Sequence, residues 1–173
     1  MISSERLNYV PLEEKHLEGL RQIRNDPTTN HWLTDVHYIT PQGQRAWYER
    51  LVLDTSRLYM AVEQKDSEVL VGVLRSDQWD MDNKSVRAGL DISPLYRGLG
   101  YGTEAFKSYI DWLFTEHQMH RVWLLVAEPN KVAVKLYRKL GFKEEGRQRD
   151  ALFRDGKYYD YLSMSVLEDE WQK

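Results

Sequence analysis

The feature that most constrains the fold is one helical crossover in a chain that otherwise consists of hairpins. Three β-rich runs, "LYMAV", "VLVGVLRSDQW" and "VRAGLDIS", are separated by short polar turns, and the glycine-rich run "YRGLGYGTEAF" follows them. A helix predicted over residues 101–117 comes next, and then the continuously apolar strand "VWLLVA", which is typical of a strand buried on both faces. A strand–helix–strand unit of this kind makes its two strands parallel. We therefore expect a mixed α+β sheet with this crossover in its middle.

The N-terminal third of the chain predicts one strand and two helices. The strand covers residues 7–10, and the first helix is expected to begin at Pro11, because proline suits the first turn of a helix. That helix should stop near Asp26, since the residue before a proline is disfavoured in the α region. The second helix begins at Pro41, and residues 27–39 between the two helices are predicted to be a loop.

The C-terminal third predicts a helix and a hairpin. The run "NKVAVKLYRKL" forms the helix, which stops at Gly141, the residue type that favours the position just after a helix. Asp155 and Gly156 form a strong two-residue hairpin signal between strands near 144–153 and 158–166. The predicted order is therefore β-α-α-β-β-β-α-β-α-β-β.

Composition excludes several classes of protein. A chain of 173 residues fits a single domain over residues 1–173, and a net charge of −3 gives no electrostatic reason to expect a nucleic-acid partner. No run of 18 apolar residues and no apolar signal core are found, so we expect a cytoplasmic protein without a membrane partner. The absence of cysteine excludes disulfides and a thiolate nucleophile. The five histidines lack the spacing of a metal site, so no metal is expected.

The glycine-rich run has three interpretations. The first interpretation is a flexible turn, and the second is a dinucleotide-binding fingerprint. The third is a cradle that binds the pyrophosphate of a different cofactor. The fingerprint requires glycine at position 103, where Thr103 stands, and it opens a βαβ unit rather than following hairpins. A cradle needs a bare backbone before the free N–H groups of a helix N-terminus, which Gly98, Gly100 and Gly102 provide. Arg97 and Thr103 add a cation and a hydroxyl group.

Two motifs together identify a family. The run from Arg97 to Gly102 matches the pattern Arg/Gln-x-x-Gly-x-Gly/Ala, and "NKVAVKLYRKLGF" matches Asn-x-x-Ala/Ser-x-x-x-Tyr-x-x-x-Gly-Phe with every spacing kept. The chain thus resembles the GNAT acetyltransferase superfamily, in the branch with ribosomal-protein N-terminal, spermidine and amino-sugar acetyltransferases. Residue by residue, the second motif can also be explained as a capped amphipathic helix with Tyr137 in the core.

The resemblance implies a fold and a donor substrate. The fold is a GNAT-like mixed, largely antiparallel sheet with a central splayed parallel pair and flanking helices. Acetyl-CoA is the co-substrate, and its pantetheine arm inserts between "GLDIS" and "LLVAE". The implied acetyl-CoA-binding residues are Ile92, Ser93, Arg97, Gly98, Leu99, Gly100, Tyr101, Gly102, Thr103, Asn130 and Tyr137.

The resemblance also implies direct transfer of the acetyl group to a primary amine. Tyr137 is the implied general acid for the departing sulfur. Related enzymes often have a glutamate at the position of Arg87, so the base is open: Asp91 is our choice, and Glu128 or a chain of waters are alternatives. The acceptor is a small molecule or a peptide, namely a protein N-terminus, a polyamine or an amino sugar. A homodimer is possible in this family, and a non-catalytic acetyl-CoA sensor is the alternative function.

Aromatic and acidic residues are candidates for the acceptor site. Trp32, Trp47 and Tyr48 belong to the region of the first two helices, and Trp79 lies in the acidic run "SDQWDMD" with Asp77. Such side chains suit a cationic amine. Core tryptophans and solvated surface acids explain the same residues equally well.

Overall fold

The computed structural model describes residues 2, 4–33 and 37–171. The strands are Leu7–Pro11 (β1), Leu58–Gln64 (β2), Leu70–Asp80 (β3), Ser85–Ile92 (β4), Arg121–Ala127 (β5), Lys143–Arg154 (β6) and Lys157–Leu167 (β7). The helices are Leu17–Asn25 (α1), Pro27–Asn30 (α2), Pro41–Leu53 (α3), Tyr101–Thr115 (α4) and Lys131–Lys139 (α5), with short 3-10 turns at Glu14–His16, Pro94–Tyr96 and Glu168–Glu170.

All seven strands form one sheet in the order β1-β2-β3-β4-β5-β7-β6. Neighbouring strands are antiparallel except for β4 and β5, which are parallel and joined by α4. The parallel pairing ends early: its last pair is Arg87 with Trp123, although β4 continues to Ile92 and β5 to Ala127. The prediction of a mixed sheet with a central, splayed parallel pair is confirmed.

The predicted order of elements is also confirmed, with corrections near the N-terminus. Pro11 does not begin a helix, because it is the last residue of β1 and is paired with Met60. Proline is tolerated there since β1 is an edge strand, where a missing N–H group disturbs no central ladder. The segment expected to be a loop contains the short helix α2, whose first turn is capped when the carboxylate of Asp26 accepts from the N–H of Thr28 (2.9 Å). Residues 34–36 of the same predicted loop lie outside the described residues.

The hairpin signal is confirmed in its geometry. Asp155 and Gly156 join β6 to β7 with φ of 51° and 75°. Positive φ at both central residues is the condition for the two-residue turn whose twist matches its strands. This turn sets the local register of β6 against β7, with Arg154 opposite Lys157 and Phe153 opposite Tyr158.

Helices cover the two faces of the sheet unequally. The buried side of α4, which includes Phe106, Tyr109 and Leu113, packs on one face over the centre of the sheet. On the other face, α1 and α3 pack against Ala61 of β2 and Val73 of β3. The splayed ends of β4 and β5 therefore lie beside the edge of the α1–α3 layer.

A buried hydrogen bond connects α4 to the sheet and allows a stability prediction. The hydroxyl groups of Tyr109 and Ser76 lie 2.6 Å apart in the core. Tyr109→Phe leaves Ser76 without its partner, so we expect the free energy of unfolding to fall by about 1–3 kcal/mol. Chemical denaturation measures this value. The control Tyr158→Phe changes a residue that is 62% exposed and should stay within about 0.5 kcal/mol of the parent protein. Equal stability of the two variants would contradict the prediction.

The described residues contain neither a membrane-spanning helix nor a metal-binding cluster. Within the part of the chain that the structure describes, no helix combines the length and the apolar character needed to cross a bilayer. Among the same residues, no group of three or more histidine, aspartate or glutamate side chains is arranged to hold a metal ion.

Candidate active site

A cavity of about 750 Å³ opens where β4 and β5 separate. Leu90 of β4 and Leu125 and Val126 of β5 contribute to its wall, and α2, the glycine-rich run and α5 complete it. The predicted site residues in the wall are Asp91, Ile92, Arg97, Gly98, Gly100, Gly102, Thr103, Asn130 and Tyr137. The two sequence motifs therefore meet at one cavity.

The glycine-rich run forms a left-handed turn before α4. Gly98 and Gly100 have φ of 77° and 85°, a region in which a residue with a Cβ is strained. Gly100 is the N-cap of α4, and its carbonyl oxygen accepts the N–H of Glu104 (3.1 Å). The N–H groups of the first helical residues come before this first bond and therefore have no acceptor within the helix. Free N–H groups at a helix N-terminus bind anionic groups.

Tyr137 is held in the cavity wall by the end of its own helix. The N–H of Phe142 donates to the carbonyl oxygen of Tyr137 (3.0 Å), and the N–H of Gly141 donates to that of Arg138 (3.1 Å). With φ of 87° at Gly141, these bonds form the Schellman motif. The motif brings the ring of Phe142 to 5.8 Å from that of Tyr137, and Phe106 of α4 lies 5.4 Å away on another side. The Gly-Phe pair of the second motif thus positions the tyrosine.

The Tyr137 hydroxyl keeps its proton at neutral pH. Burial raises the pKa of Tyr137 to about 12; the positive charge of Arg75 opposes this shift, and the negative charge of Asp91 adds to it. A phenol of this kind can donate a hydrogen bond throughout the neutral range.

Asp91 has an environment that differs from the one a general base needs. Its carboxylate accepts from Arg75 at 2.9 Å and from Arg24 at 3.3 Å, and the residue is 7% exposed. Burial alone would raise the pKa of Asp91, but the two guanidinium groups outweigh it and hold the pKa below its ordinary value. Because an efficient base has a pKa near the working pH, this geometry does not fit the predicted role.

The position of Arg75 depends on a glycine that the sequence did not single out. Arg75 of β3 is paired with Gly89 of β4, and its guanidinium group lies over the bare Cα. A Cβ at Gly89 would stand 2.8 Å from Cζ of Arg75, closer than real Cβ contacts allow. Two arginines on one carboxylate also give the Arg24–Asp91–Arg75 cluster one net positive charge.

The other acidic candidates are also in ion pairs. Asp77 lines the cavity, but both of its oxygens accept from the guanidinium group of Arg87, each at 2.6 Å. Arg87, which stands where related enzymes often have a glutamate, therefore neutralises the carboxylate of Asp77 instead of supplying a carboxylate itself. Glu128 lies outside the described wall, 3.4 Å from Arg147 and 3.9 Å from Lys131.

Three predicted acetyl-CoA ligands lie outside the cavity wall. The N–H of Ser93 already donates to the carbonyl oxygen of Val71 (2.9 Å), because the chain turns there into a 3-10 helix. The side chain of Leu99 points into solvent. The ring of Tyr101 faces away, with the guanidinium carbon of Arg6 at 4.2 Å and its hydroxyl accepting from Gln64 (2.9 Å).

Arg97 and Asn130 line the cavity with part of their polar groups already engaged. Arg97 donates to the carbonyl oxygen of Ile92 (3.2 Å) and to the hydroxyls of Thr28 (2.6 Å) and Thr29, which connects the glycine turn to α2. The amide oxygen of Asn130 accepts from the N–H of Ala133 (3.2 Å) and caps α5. The amide NH₂ group of Asn130 takes no part in this cap.

The aromatic candidates divide between the cavity and the core. Trp32 lines the cavity, whereas Trp47 and Tyr48 pack between α1 and α3. Trp79 packs against the main core with its ring 5.1 Å from that of His117. For these three residues the packing interpretation is the one that fits.

Three further residues of the wall were not among the predicted site residues. Lys135 and Lys139 lie on α5 among the residues of the second motif and add positive charge to the wall. Their spacing of four residues on an amphipathic helix was the available signal. Tyr161 reaches the wall only through the pairing of β7 with β5, which a single sequence does not reveal.

Known proteins are similar to this chain in sequence over most of its length. A spermidine N(1)-acetyltransferase of Escherichia coli K12 is 25% identical over 171 residues, covering 99% of this chain and 91% of that protein. A protein of Bacillus subtilis, provisionally named a ribosomal N-acetyltransferase, is 26% identical over 98% of this chain and 95% of its own length.

A solved structure confirms the fold. The spermidine N-acetyltransferase of Vibrio cholerae, crystallised with CoA and spermine, superposes with a TM-score of 0.89 at 24% identity, over 95% of this chain and 97% of that one. The model of the acetyltransferase (GNAT) domain matches residues 6–143. Because this match spans most of the chain and includes both motifs of the cavity, the chain belongs to the GNAT acetyltransferase family.

Proposed function

We propose that this chain transfers the acetyl group of acetyl-CoA to a primary amine in the cavity between β4 and β5. The observation that carries the proposal is the opening of the parallel pair after Arg87 and Trp123, which joins the glycine turn and Tyr137 in one cavity of about 750 Å³. Acetyl-CoA supplies the activated acetyl group as a thioester.

The described residues fit this donor. The left-handed turn at Gly98 and Gly100 leaves the start of α4 accessible to a pyrophosphate. Lys135 and Lys139 place two cations in the wall for phosphate oxygens. The apolar side chains of Leu90 and Leu125 border the opening that a pantetheine arm requires.

Tyr137 acts in this proposal as the hydrogen-bond donor to the sulfur that leaves. A proton on a phenol with a pKa of about 12 does not move completely to a thiolate, whose pKa is near 8.5. The hydroxyl instead stabilises the developing negative charge on sulfur, and the proton that finally neutralises it comes from the amine.

Deprotonation of the amine proceeds in this proposal without a dedicated carboxylate. An alkyl ammonium group has a pKa near 10, so only about 0.1% is free base at neutral pH. The net positive charge of the Arg24–Asp91–Arg75 cluster disfavours the ammonium form and so favours the reactive free amine. We assign Asp91 the role of positioning Arg75 and Arg24.

The pH profile tests this assignment. The carboxylates of Asp77 and Asp91 are paired with arginines, and the described wall contains no histidine or glutamate. We therefore expect log(kcat/KM) for the amine to rise with a slope of one until the pKa of the acceptor itself. With the pKa of Tyr137 at about 12, no falling limb is expected below pH 10. An inflection between pH 6 and 8 that belongs to the enzyme would reveal a base and refute this assignment.

The acceptor needs a direct assay, because a shared fold does not transfer a substrate. Relatives named for spermidine and for ribosomal proteins make polyamines and peptide N-termini the first acceptors to test. Release of CoA thiol from acetyl-CoA should be measured with spermidine, an alanyl peptide and glucosamine. We expect turnover with at least one of them. If none is acetylated while acetyl-CoA still raises Tm, the chain is a non-catalytic sensor and the proposal fails.

A further inference from the structure

Tyr161 has a buried hydroxyl group that nothing in the free protein explains. The residue is 6% exposed and lines the cavity beside Ala127, at the end of β5. Its hydroxyl oxygen has no hydrogen-bond partner among the residues that the structure describes. Buried polar groups are nearly always paired, and one without a partner destabilises the free protein, so such a group in a cavity wall indicates a ligand contact.

The hydroxyl is a donor at neutral pH. Burial raises the pKa of Tyr161, and the positive charge of Arg154 only partly opposes this shift.

The ring of Tyr161 packs with Ala127 and Leu152, and Trp32 and Leu125 lie against this cluster. Arg154 donates to the carbonyl oxygens of His31 (2.9 Å) and Leu33, which holds the segment containing Trp32 beside the cluster.

The charges of the described cavity wall favour an oxygen atom as the missing partner. Both carboxylates of the described wall, Asp77 and Asp91, are already occupied by arginines, and the cluster around Asp91 has a surplus positive charge. A polycation finds no unpaired carboxylate in this part of the wall. A carbonyl, carboxylate or hydroxyl oxygen finds both a free O–H donor and a favourable potential.

We propose that Tyr161 selects the acceptor by donating a hydrogen bond to an oxygen atom carried near its reactive amine. This inference rests on the proposed acetyl transfer and narrows its acceptors to amines that bear an amide, a carboxylate or a hydroxyl group. Polyamines lack such an oxygen. Trp32 and Leu125 supply the apolar contacts that border this end of the cavity.

Tyr161→Phe removes the hydroxyl and keeps the ring. We expect kcat/KM for the alanyl peptide or glucosamine to fall about tenfold through KM, with the affinity for acetyl-CoA unchanged. For spermidine we expect poor turnover by the parent enzyme and no further loss in the variant. The ratio of kcat/KM between variant and parent is taken separately for each acceptor. Differences among the pKa values of the amines therefore do not affect the comparison.

Thermal unfolding supplies a second, independent readout. Because the Tyr161 hydroxyl has no partner in the free protein, Tyr161→Phe should leave Tm unchanged or raise it. The matched variant Tyr109→Phe, which breaks the bond to Ser76, should lower Tm. A drop in Tm for Tyr161→Phe as large as that for Tyr109→Phe would show that the hydroxyl is paired within the protein and would overturn the proposal.

The kinetic outcomes separate this inference from the proposed function. Turnover of the oxygen-bearing acceptors with the same kcat/KM in parent and variant removes Tyr161 from acceptor binding and leaves acetyl transfer intact. Turnover of spermidine alone, or an equal loss for spermidine, refutes the selection of an oxygen. If no amine is acetylated, the proposed function and this inference fall together.

Discussion

A valine at position 102 should abolish acetyl-CoA binding without unfolding the protein. Gly102 lies in the first turn of α4 with an ordinary φ, so a side chain there causes no backbone strain. A Cβ would point toward Ile92 at 3.5 Å and toward Leu90 and Leu136 at 3.8 Å, all of which line the cavity. The further methyl groups of valine would fill the space between the glycine turn and α5. We expect the dissociation constant for acetyl-CoA to rise at least about 100-fold, which calorimetry measures directly.

Two controls make the Gly102→Val result specific. Gly102→Ala adds only the Cβ, whose contacts are ordinary, so its affinity should fall between those of the parent and the valine variant. Gly146→Val makes the same change in β6, where a Cβ meets nothing within 4 Å, and should bind acetyl-CoA as the parent does. Gly100 is a poorer test because its φ of 85° confounds strain with steric exclusion. Tight binding by Gly102→Val would disprove the cradle.

The sequence predicted the local structure of the glycine turn and of α5 well because its determinants are local. The left-handed turn at Gly98 and Gly100, the cap at Asn130 and the Schellman motif at Gly141 each depend on hydrogen bonds within a few residues. The residues that form these bonds are adjacent in the chain, so their spacing carries the geometry. The same locality explains why the hairpin at 155–156 was predicted correctly.

The surroundings of Asp91 and Asp77 were poorly predicted because they depend on tertiary contacts and strand register. Asp91 is an unremarkable acid along the chain. One of its guanidinium partners, Arg75, depends on the β3–β4 register, and the other, Arg24, on the packing of α1. Asp77 likewise meets Arg87 across the β3–β4 ladder. A one-residue slip of register would send these side chains to the opposite face.

The error at Pro11 has the same origin. The rule that places proline in the first turn of a helix is correct as a local preference. Whether a strand can end in proline depends instead on its place in the sheet, and β1 is an edge strand. Tertiary position thus overrode local propensity at this residue.

Tyr137→Phe should lower kcat about 100-fold and leave the affinity for acetyl-CoA unchanged. The variant keeps the ring, and with it the contacts with Phe106 and Phe142 that hold α5 in place. It removes only the hydroxyl that we propose to stabilise the departing sulfur, a contribution of at least about 100-fold for a well-placed donor. Because this contact develops in the transition state, the loss falls on kcat rather than on ground-state binding. Steady-state kinetics with saturating acetyl-CoA, together with calorimetry, measures both quantities.

A matched substitution distinguishes this chemistry from a general effect of losing a tyrosine hydroxyl. Tyr101 is also buried, and its hydroxyl has a partner in Gln64, but its side chain lies outside the cavity. Tyr101→Phe should therefore lower stability slightly and leave kcat within about twofold of the parent value. If Tyr137→Phe instead retains a kcat within about threefold of the parent, the leaving sulfur needs no donor from α5. Stabilisation of the thiolate would then have to come from the start of α4 or from solvent, and Tyr137 would serve only to pack Phe142 against Phe106.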